Sequence, residues 1–464
     1  MKCRFAESAF FASVAAARVP FRFGAATLRR AAILVARARI ESADGGRSSF
    51  GFAADLLVPK WFEKDPAKSA RDDAAALAAS AREAAGAFAA AGTGSAFDLW
   101  TRAFGERVGS AAPGAPDRLV RGFGVALVER AVVDAACRAA GVSFFDALSR
   151  GLLGFDATGL LPERPAETIE VRHTVGLLDA LRAGDLDPAA RVADGFPETL
   201  EDEIRTRGVR RFKVKLDGTR PGAAVARLLD VAAVARDLLG SGFGVTADGN
   251  ESFPGFEPLE EVLFKLDESE AGRFLLDRLL FVEQPLPRAA TFVPVPRPLR
   301  ERVDLVIDEA DDSTDAFSRA VDAGYRGVSV KNCKGVFRAL QNRSRCEKSG
   351  GRLFQTAEDL TNLPVLALQQ DLATVAALGL PDAERNGHHY FRGLEHLPRV
   401  EAADALSRHA GLYEAKGPGG APALRIAGGR LDVRSLRCAG YGYDLRIRVE
   451  ERMPLDAFTF PAED

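Results

Sequence analysis

The chain has 464 residues, a formal net charge of −3 and 47 % hydrophobic residues. This length suits two domains, or one barrel-sized domain with an addition, and the hydrophobic share is enough for a large core. Because the charge is nearly balanced and no dense basic run occurs, neither nucleic acid nor a membrane is expected as a partner. No run of about 18 apolar residues occurs either, so the sequence predicts no transmembrane helix.

The five cysteines are scattered, and none forms a Cys-x-x-Cys pair. This spacing argues against a disulfide framework or a zinc site and fits a reducing cytosol. Charged residues interrupt the N-terminal stretch, so it does not have the pattern of a secretory signal. We therefore expect a cytoplasmic protein.

The N-terminal part of the chain reads as strands. Residues 5–19 and 31–42 are rich in Phe, Val, Ile and Ala, which favours two strands. Pro20 and Gly24 predict a loop over residues 18–24 between them. A Gly-rich turn and a third strand follow.

Helices come next along the chain. Residues 70–91 combine high helix propensity with an amphipathic pattern. Residues 116–140 carry apolar side chains at helical spacing. The first 150 to 170 residues therefore predict one unit of three strands and several helices.

After residue 165 short β-rich runs alternate with helical stretches. The runs include VRRFKVKL, FGVTADGN, LLFVEQPL, DLVIDEA and RGVSVKNC. Alternating strands and helices predict βαβ units and a parallel sheet. Seven or eight such units in about 230 residues fit a TIM-type barrel.

These runs end in polar side chains that do not suit a barrel core. In chain order the side chains are Lys213, Lys215, Asp248, Asn250, Glu283, Asp308, Glu309 and Lys331. The main positions follow one another at intervals of 23 to 35 residues, each about one βα unit. Barrel active sites lie where the carboxyl ends of the strands meet, so we expect these side chains to gather there.

The residue types indicate a metal-assisted reaction. Asp248, Glu283 and Asp308 would place three carboxylates on neighbouring strands, which suits Mg²⁺ or Mn²⁺. Lys215 and Lys331, on the second and sixth strands, would face each other across the mouth. One lysine could remove the α-proton of a metal-bound carboxylic acid and the other could donate one, while the metal stabilises an enediolate.

The residue types alone do not settle the roles of the neighbouring residues. Lys213 is an electrostatic modulator, a contact to the substrate carboxylate or a salt-bridge partner of a metal ligand. Asn250 is expected to support the ligands rather than to bind the cation. Period-two alternation along a strand allows one of Asp308 and Glu309 to face inward, not both.

Together these motifs resemble the enolase superfamily, in its muconate-lactonizing-enzyme-like subgroup (the mandelate racemase/muconate lactonizing enzyme family). Lys213-Val-Lys215 resembles the family's Lys-x-Lys, whose second lysine is the usual base. Asp248-Gly-Asn250, Glu283-Gln-Pro and Asp308-Glu309 resemble the three metal-ligand motifs, which favours Asp308 over Glu309. Lys331 resembles the family's sixth-strand lysine.

The resemblance covers nearly the whole chain and implies its architecture. We expect an α/β fold in which residues 166–400 form a modified TIM barrel, (β/α)7β. Residues 1–165 would form an N-terminal α+β capping domain, and residues 401–464 would return to this cap. In the cap, PFRFG (20–24) and PKWFEKDP (59–66) would fall near two loops that close over the substrate.

Other positions depart from the family. Glu358 and Asp359 stand where specificity residues are expected. The run NGHHYFRG lacks the Asp-x-Asp with which dipeptide epimerases hold a substrate ammonium. Its His388 and His389 are open between substrate contacts and plain loop residues, and His173 is expected to be a packed histidine.

The sequence therefore predicts a metal-dependent isomerase or lyase that removes a proton α to the carboxylate of a small acid. Racemisation or epimerisation and β-elimination, as in dehydration or cycloisomerisation, are equally supported. We expect a homo-oligomer. The alternative is a catalytically silent enolase-like protein that acts as a binding or scaffold module, although the presence of all three carboxylates and both lysines speaks against it.

Overall fold

The computed structural model describes residues 1–24, 26–112, 115, 117–417 and 420–461. Its N-terminal part is an antiparallel sheet with helices packed on it. The sheet strands run over Cys3–Phe23, Ala26–Ser42 and Ser48–Leu56. The accompanying helices are Ala70–Ala90, Ala96–Phe104, Arg118–Ala140 and Phe144–Ser149. This confirms the three strands and the two long helices predicted for this part.

The loop predicted over residues 18–24 is wrong, because the first strand continues to Phe23. Its pairing with the second strand shifts register between Ala16 and Phe21. Pro20 lies inside this irregular stretch, where the ladder has no bond that its missing N–H would remove. A proline that usually ends a strand is therefore accommodated within one.

The helices of this part have clear local signals. The helix Ala70–Ala90 starts with a capping box, in which Ser69 and Asp72 each bind the backbone N–H of the other. The helix Arg118–Ala140 is buried along nearly its whole length, with Gly141 in the left-handed conformation at its end. It packs between the sheet and the barrel segment that follows the sixth strand.

Across the described residues, eight parallel strands close into a barrel, with the eighth strand paired to the first. The strands are Thr168–Val175, Arg211–Lys215, Gly244–Asp248, Leu279–Glu283, Leu305–Ile307, Gly327–Val330, Phe354–Ala357 and Asp382–Arg385. The helices between and after them are Leu200–Arg207, Pro221–Leu239, Phe256–Asp267, Glu270–Leu276, Arg297–Arg302, Ala316–Ala323, Val336–Lys348, Leu366–Leu378, Gly387–Tyr390 and Arg399–Arg408. The predicted fold class, a TIM-type barrel with an N-terminal capping domain, is confirmed.

Period-two alternation decides what each barrel strand presents to the interior. In the second strand Phe212 and Val214 are fully buried against the surrounding layer. Lys213 and Lys215 alternate with them and therefore face the inside of the barrel. The lysines are thus delivered to the interior by the same pattern that builds the hydrophobic wall.

The C-terminal part of the chain pairs with both sheets. Arg430–Asp432 adds an antiparallel strand to the first barrel strand. Met453–Pro454 pairs with the first strand of the N-terminal sheet, opposite Ala12 and Phe11. Within the part of the chain that the structure describes, no helix has the length and apolar character that crossing a membrane requires.

Candidate active site

Three of the predicted residues end neighbouring barrel strands at one level. Lys215 pairs with Asp248 in the parallel ladder, and Asp248 pairs with Glu283. Each is the last residue of its strand, so the three side chains leave the barrel side by side. Nζ of Lys215 donates to Oδ2 of Asp248 at 2.6 Å.

Asp308 and Lys331 directly follow the fifth and sixth strands, which come next around the barrel. Nζ of Lys331 donates to Oδ2 of Asp308 at 2.6 Å. Lys334 lies on the second oxygen, with Nζ 3.2 Å from Oδ1. Both predicted acid/base lysines therefore contact a predicted metal ligand, and each contacts a different one.

The lysines around Asp308 and the burial of its side chain shift its pKa in opposite directions. Burial alone would raise the pKa of Asp308, but Lys331 and Lys334 hold it well below its ordinary value. Burial would likewise lower the pKa of Lys331, but Asp308 outweighs this effect and keeps the pKa above its ordinary value. Each partner of the Asp308–Lys331 pair thus favours the charged form of the other.

Lys213 lies deeper in the barrel and is surrounded by acidic groups. Its Nζ is 2.7 Å from Glu283 Oε2, 2.7 Å from Glu358 Oε2, 2.8 Å from Glu384 Oε2 and 3.0 Å from Asp248 Oδ2. Burial opposes the charge, but these four carboxylates raise the pKa of Lys213 well above its ordinary value. Of the three roles left open by the sequence, this geometry favours a salt-bridge partner of metal ligands.

The carboxylates of the site fit a hard divalent cation. Among the described residues, no hydrogen bond reaches Oε1 of the fully buried Glu283, and Lys213 approaches its Oε2 without hydrogen-bond geometry. Burial and the nearby Asp248 raise the pKa of Glu283 well above its ordinary value. A buried carboxylate with an unpartnered oxygen, flanked by two other carboxylates, matches the ligand set that Mg²⁺ or Mn²⁺ prefers.

Asn250 and Glu309 lie beside these carboxylates. Nδ2 of Asn250 donates to Oε1 of Glu309 at 3.2 Å, while its backbone N–H donates to Oδ1 of Asp248 at 2.8 Å. Asn250 Oδ1 and Glu309 Oε2 are buried without a hydrogen-bond partner in the described part of the chain. Asn250 thus connects Asp248 to Glu309, and its supporting role remains a prediction.

The alternation argument about Asp308 and Glu309 is wrong in its premise. The fifth strand ends at Ile307, so both residues lie in the turn after it and period two no longer applies. Both are fully buried at the mouth. They differ in their partners, because Asp308 contacts Lys331 and Glu309 contacts Asn250.

A segment of the cap covers this mouth, in the PKWFEKDP stretch (59–66) that the sequence singled out. The ring of Trp61 lies over Nζ of Lys331, which is 4.5 Å from the ring centroid. Nζ of Lys64 donates to the carbonyl of Asn250 at 2.7 Å and lies 2.6 Å from Glu251 Oε2. Arg288 then bonds to Glu251 and to the carbonyls of Trp61 and Phe62.

The PFRFG stretch (20–24) also reaches the barrel. Phe21 stacks on Tyr390 with ring centroids 4.1 Å apart. A Cβ placed on Gly24 would lie 3.8 Å from Cβ of Asn250. Gly24 therefore lies near the predicted site, whereas Phe21 lies beside the helix that carries Tyr390.

Glu358 and Asp359 do not line an open face. Oε1 of Glu358 accepts from Arg172 at 2.6 Å and from Thr356 at 2.7 Å. Asp359 accepts the backbone N–H of Asn362 at 2.7 Å. Both are buried and engaged with the chain itself. The substrate-binding role of Glu358 remains a prediction, and the structure places its carboxylate inside the barrel beside Lys213.

Arg172 and Glu384 complete this interior network, and the sequence reasoning did not single them out. Arg172 lies in the first strand and Glu384 in the eighth, and both are buried. The available signal was charge inside a barrel strand, since Arg172 alternates with apolar residues in TIEVRHTV and Glu384 interrupts DAER. Such charges need partners in a dry interior, and the partners come from strands that are distant in the sequence but close in the barrel.

His388 and His389 are buried outside the barrel wall rather than at the mouth. Nε2 of His388 is 3.0 Å from Nδ1 of His173, and Nδ1 of His389 is 3.1 Å from Oε1 of Glu203. Burial lowers the pKa of His173 to about 4 and that of His388 well below its ordinary value. The packed role expected for His173 agrees with this position, and the structure does not bring these histidines to Lys215 or Lys331.

No family model and no curated protein matches the sequence. Solved structures do match. The chain is similar to 2-chloromuconate cycloisomerase from Rhodococcus opacus 1CP, with 16% identity, 96% of this chain and 97% of that chain covered, and a TM-score of 0.60. It is also similar to an enolase from Bradyrhizobium complexed with magnesium and mandelic acid, with 14% identity, 96% of each chain covered and a TM-score of 0.58.

A third match is dipeptide epimerase from Cytophaga hutchinsonii complexed with Mg and the dipeptide D-Ala-L-Val. Its identity is 15%, it covers 84% of this chain and 88% of that chain, and its TM-score is 0.56. At such identities the likeness concerns the fold. The fold that the predicted resemblance to the enolase superfamily implies is therefore confirmed.

Proposed function

We propose that this protein is an enzyme that removes the proton α to the carboxylate of a small acid. In this proposal Asp248, Glu283 and Asp308 hold Mg²⁺ or Mn²⁺, and Lys215 and Lys331 exchange protons with the substrate. The observation that carries the proposal is the paired geometry at the mouth. Each lysine contacts one carboxylate of the triad at 2.6 Å, from strands on opposite sides of the barrel.

The cation would supply positive charge at the substrate carboxylate, where negative charge develops as the α-proton leaves. Lys215 and Lys331 would act from the two faces of the α-carbon: the unprotonated Nζ of one lysine takes the α-proton, and the protonated Nζ of the other can donate one. Trp61 covers Lys331 from the cap side and helps to exclude water from the reaction. Lys213 stays charged among its carboxylates and orients two of the three ligands.

Two neighbours support the substrate class without identifying the substrate. The Bradyrhizobium structure contains mandelic acid with magnesium, and the Cytophaga structure contains a dipeptide with Mg. Both ligands carry a carboxylate and a proton on the adjacent carbon. We therefore propose that the substrate of this protein is a small carboxylic acid with such a proton.

The test is exchange of the α-proton with solvent. The protein, loaded with Mg²⁺, is incubated in D₂O with a panel of 2-hydroxy acids, N-acylated amino acids, dipeptides and sugar acids, and exchange is followed by ¹H NMR. We expect at least one member to lose its α-proton signal. Lys215→Met and Lys331→Met should each remove exchange from one stereochemical face while the other face is retained.

The controls separate chemistry from binding. Lys348→Met is a matched lysine control at the end of the helix Val336–Lys348, remote from the barrel mouth, and should leave exchange unchanged. If no panel member exchanges although magnesium binds, the scaffold alternative becomes the better explanation. If exchange occurs with retention of all substituents, the enzyme is a racemase or epimerase, whereas loss of a β-substituent or ring closure identifies an elimination or a cycloisomerisation.

A further inference from the structure

Three of the five histidines of this chain meet at one point outside the barrel wall. His173 lies on the first barrel strand, and His388 and His389 follow the eighth. These two strands close the barrel, and His173 pairs with Arg385 in their ladder. This seam brings His173 next to His388, although 215 positions separate them in the sequence.

A carboxylate completes the cluster. Glu203 is on the helix Leu200–Arg207, which follows the first strand. The candidate ligand atoms of His173, Glu203 and His389 all lie within 4.8 Å of one another. Nε2 of His388 is 3.7 Å from Oε2 of Glu203. Each of the four side chains is buried, so the cluster is closed to solvent.

We propose that His173, Glu203 and His389 bind a divalent transition-metal ion of the Zn²⁺ type, with His388 beside them at a fourth position. Imidazole nitrogens and one carboxylate are the ligands that Zn²⁺ takes in proteins, whereas Mg²⁺ requires oxygen ligands. This set therefore differs in kind from the all-carboxylate set at the barrel mouth. The earlier expectation of no zinc site concerned cysteine spacing, and the cluster contains no cysteine.

The surroundings of the cluster favour an ion over hydrogen bonds alone. Nη1 of Arg207 donates to Oε1 and Oε2 of Glu203 at 2.6 and 2.7 Å, which fixes the carboxylate while leaving further lone pairs. The ring nitrogen of His388 that faces the cluster is Nε2, which lies 3.0 Å from Nδ1 of His173 and 3.7 Å from Oε2 of Glu203. An ion between these atoms would bind the lone pairs that they present to one another.

The position suggests a structural ion. A closed site with ligands from several elements binds its metal as the chain folds, and the binding free energy adds to the stability of the fold. Here the ion would tie the first strand, the helix Leu200–Arg207 and the segment after the eighth strand. Nη1 of Arg18, from the cap, donates to the carbonyl of His389 at 2.8 Å, so the same point also anchors the cap.

The metal content of the purified protein tests the proposed zinc site directly. The full chain is produced in medium containing zinc, passed through gel filtration in magnesium buffer and analysed by mass spectrometry for metals. We expect about one zinc per chain in the wild type and near zero in Glu203→Gln and His389→Gln. His409→Gln removes another buried, hydrogen-bonded histidine and should retain the zinc. Asp248→Asn/Asp308→Asn should also retain it, because the barrel mouth is not involved.

A variant that fails to fold would also lose its zinc, so a second measurement uses the wild-type protein alone. Wild-type protein loaded with Co²⁺ in magnesium buffer should show the intense visible bands of four-coordinate cobalt with nitrogen ligands. Absence of zinc and of these bands would overturn the proposal, as would zinc that is lost in Asp248→Asn/Asp308→Asn but kept in His389→Gln. Neither result would bear on α-proton exchange, which depends on other residues.

Discussion

Two lysines that are two positions apart have different surroundings. Lys213 is enclosed by four carboxylates, whereas Lys215 is paired with Asp248 and lies nearer the mouth. A buried cation that compensates several anions is hard to remove, because its loss leaves those anions unpaired in a medium of low dielectric constant. The two lysines should therefore separate into a structural and a chemical role when each is substituted.

Lys213→Met should lower the free energy of unfolding by about 3–5 kcal/mol, since Asp248, Glu283 and their neighbours would lose their shared partner. Lys215→Met removes one ion pair and should lower the free energy of unfolding by less. It should also abolish proton exchange on the substrate face that Lys215 serves. Urea unfolding followed by circular dichroism measures the first effect, and NMR exchange measures the second. Equal stability of Lys213→Met and the wild type would assign Lys213 a role at the substrate instead.

At the scale of elements, strand ends were predictable and the turns beyond them were not. The runs ending in Lys215, Asp248 and Glu283 show their inward residues through alternation, and the structure has them in register. Asp308 and Glu309 lie past the last ladder residue, where the turn sets their directions. The alternation pattern predicts side-chain directions only within a strand. The partners of Asp308, which lies beyond the end of its strand, could therefore be identified only from the structure.

A hydrogen bond joins a helix of the cap to the segment that follows Lys331. Glu129, in the helix Arg118–Ala140, accepts the backbone N–H of Phe337 at 2.7 Å, in the first turn of Val336–Lys348. A carboxylate is favourable at a helix N-terminus. A Cβ on Gly335, which has φ of +95°, would lie 2.2 Å from Oε2 of Glu129, so this close approach needs glycine. Glu129 therefore fixes the segment that begins with Lys331.

Burial raises the pKa of Glu129 from 4.5 to about 8 despite this bond and the nearby Arg130. A folded-state pKa above the unfolded value means that the folded chain binds the proton more tightly. The contribution of Glu129 to stability is then highest below pH 4.5, falls as the pH rises through this range, and levels off above pH 8. Glu129→Gln keeps an acceptor oxygen without the charge and should stabilise the protein by about 2–4 kcal/mol above pH 8.

Melting temperatures of Glu129→Gln and the wild type at pH 5 and pH 8.5 measure this difference. The variant should melt close to the wild type at the lower pH and well above it at the higher one. Glu106→Gln, at an exposed glutamate of the N-terminal part, is the matched control and should show no such trend. A constant difference between the curves would mean that the charge of Glu129 does not respond to burial in this way.

For the whole molecule, predictability depended on whether a contact is local in sequence. The barrel, the cap and the residues at the mouth follow from repeated strand and helix patterns and from motifs a few residues long. The interior network of Arg172, Lys213 and Glu384 joins strands from the two ends of the barrel sequence, which closure makes neighbours. The histidine cluster at the seam likewise forms only when the first and eighth strands meet. No short-range sequence pattern predicts these contacts, because they form only when the barrel closes.

The proposed cation would act on the stability of the whole molecule, since its ligands come from the third, fourth and fifth barrel strands. An ion that binds the folded chain alone stabilises it by about 2.7 kcal/mol at 100 times its Kd. We therefore expect Mg²⁺ to raise the melting temperature of the wild type, relative to sodium chloride of equal ionic strength. In Glu283→Gln this response should vanish.

Glu283→Gln also separates loss of the ion from general damage. The charge of Glu283 is unfavourable without a cation, because burial and Asp248 raise the pKa of this carboxyl well above its ordinary value. In EDTA the variant should therefore melt at or above the temperature of the wild type, although it no longer responds to Mg²⁺. A variant that melts lower in EDTA and still gains stability from Mg²⁺ would show that the cation binds elsewhere, and the assignment of the three carboxylates would then be wrong.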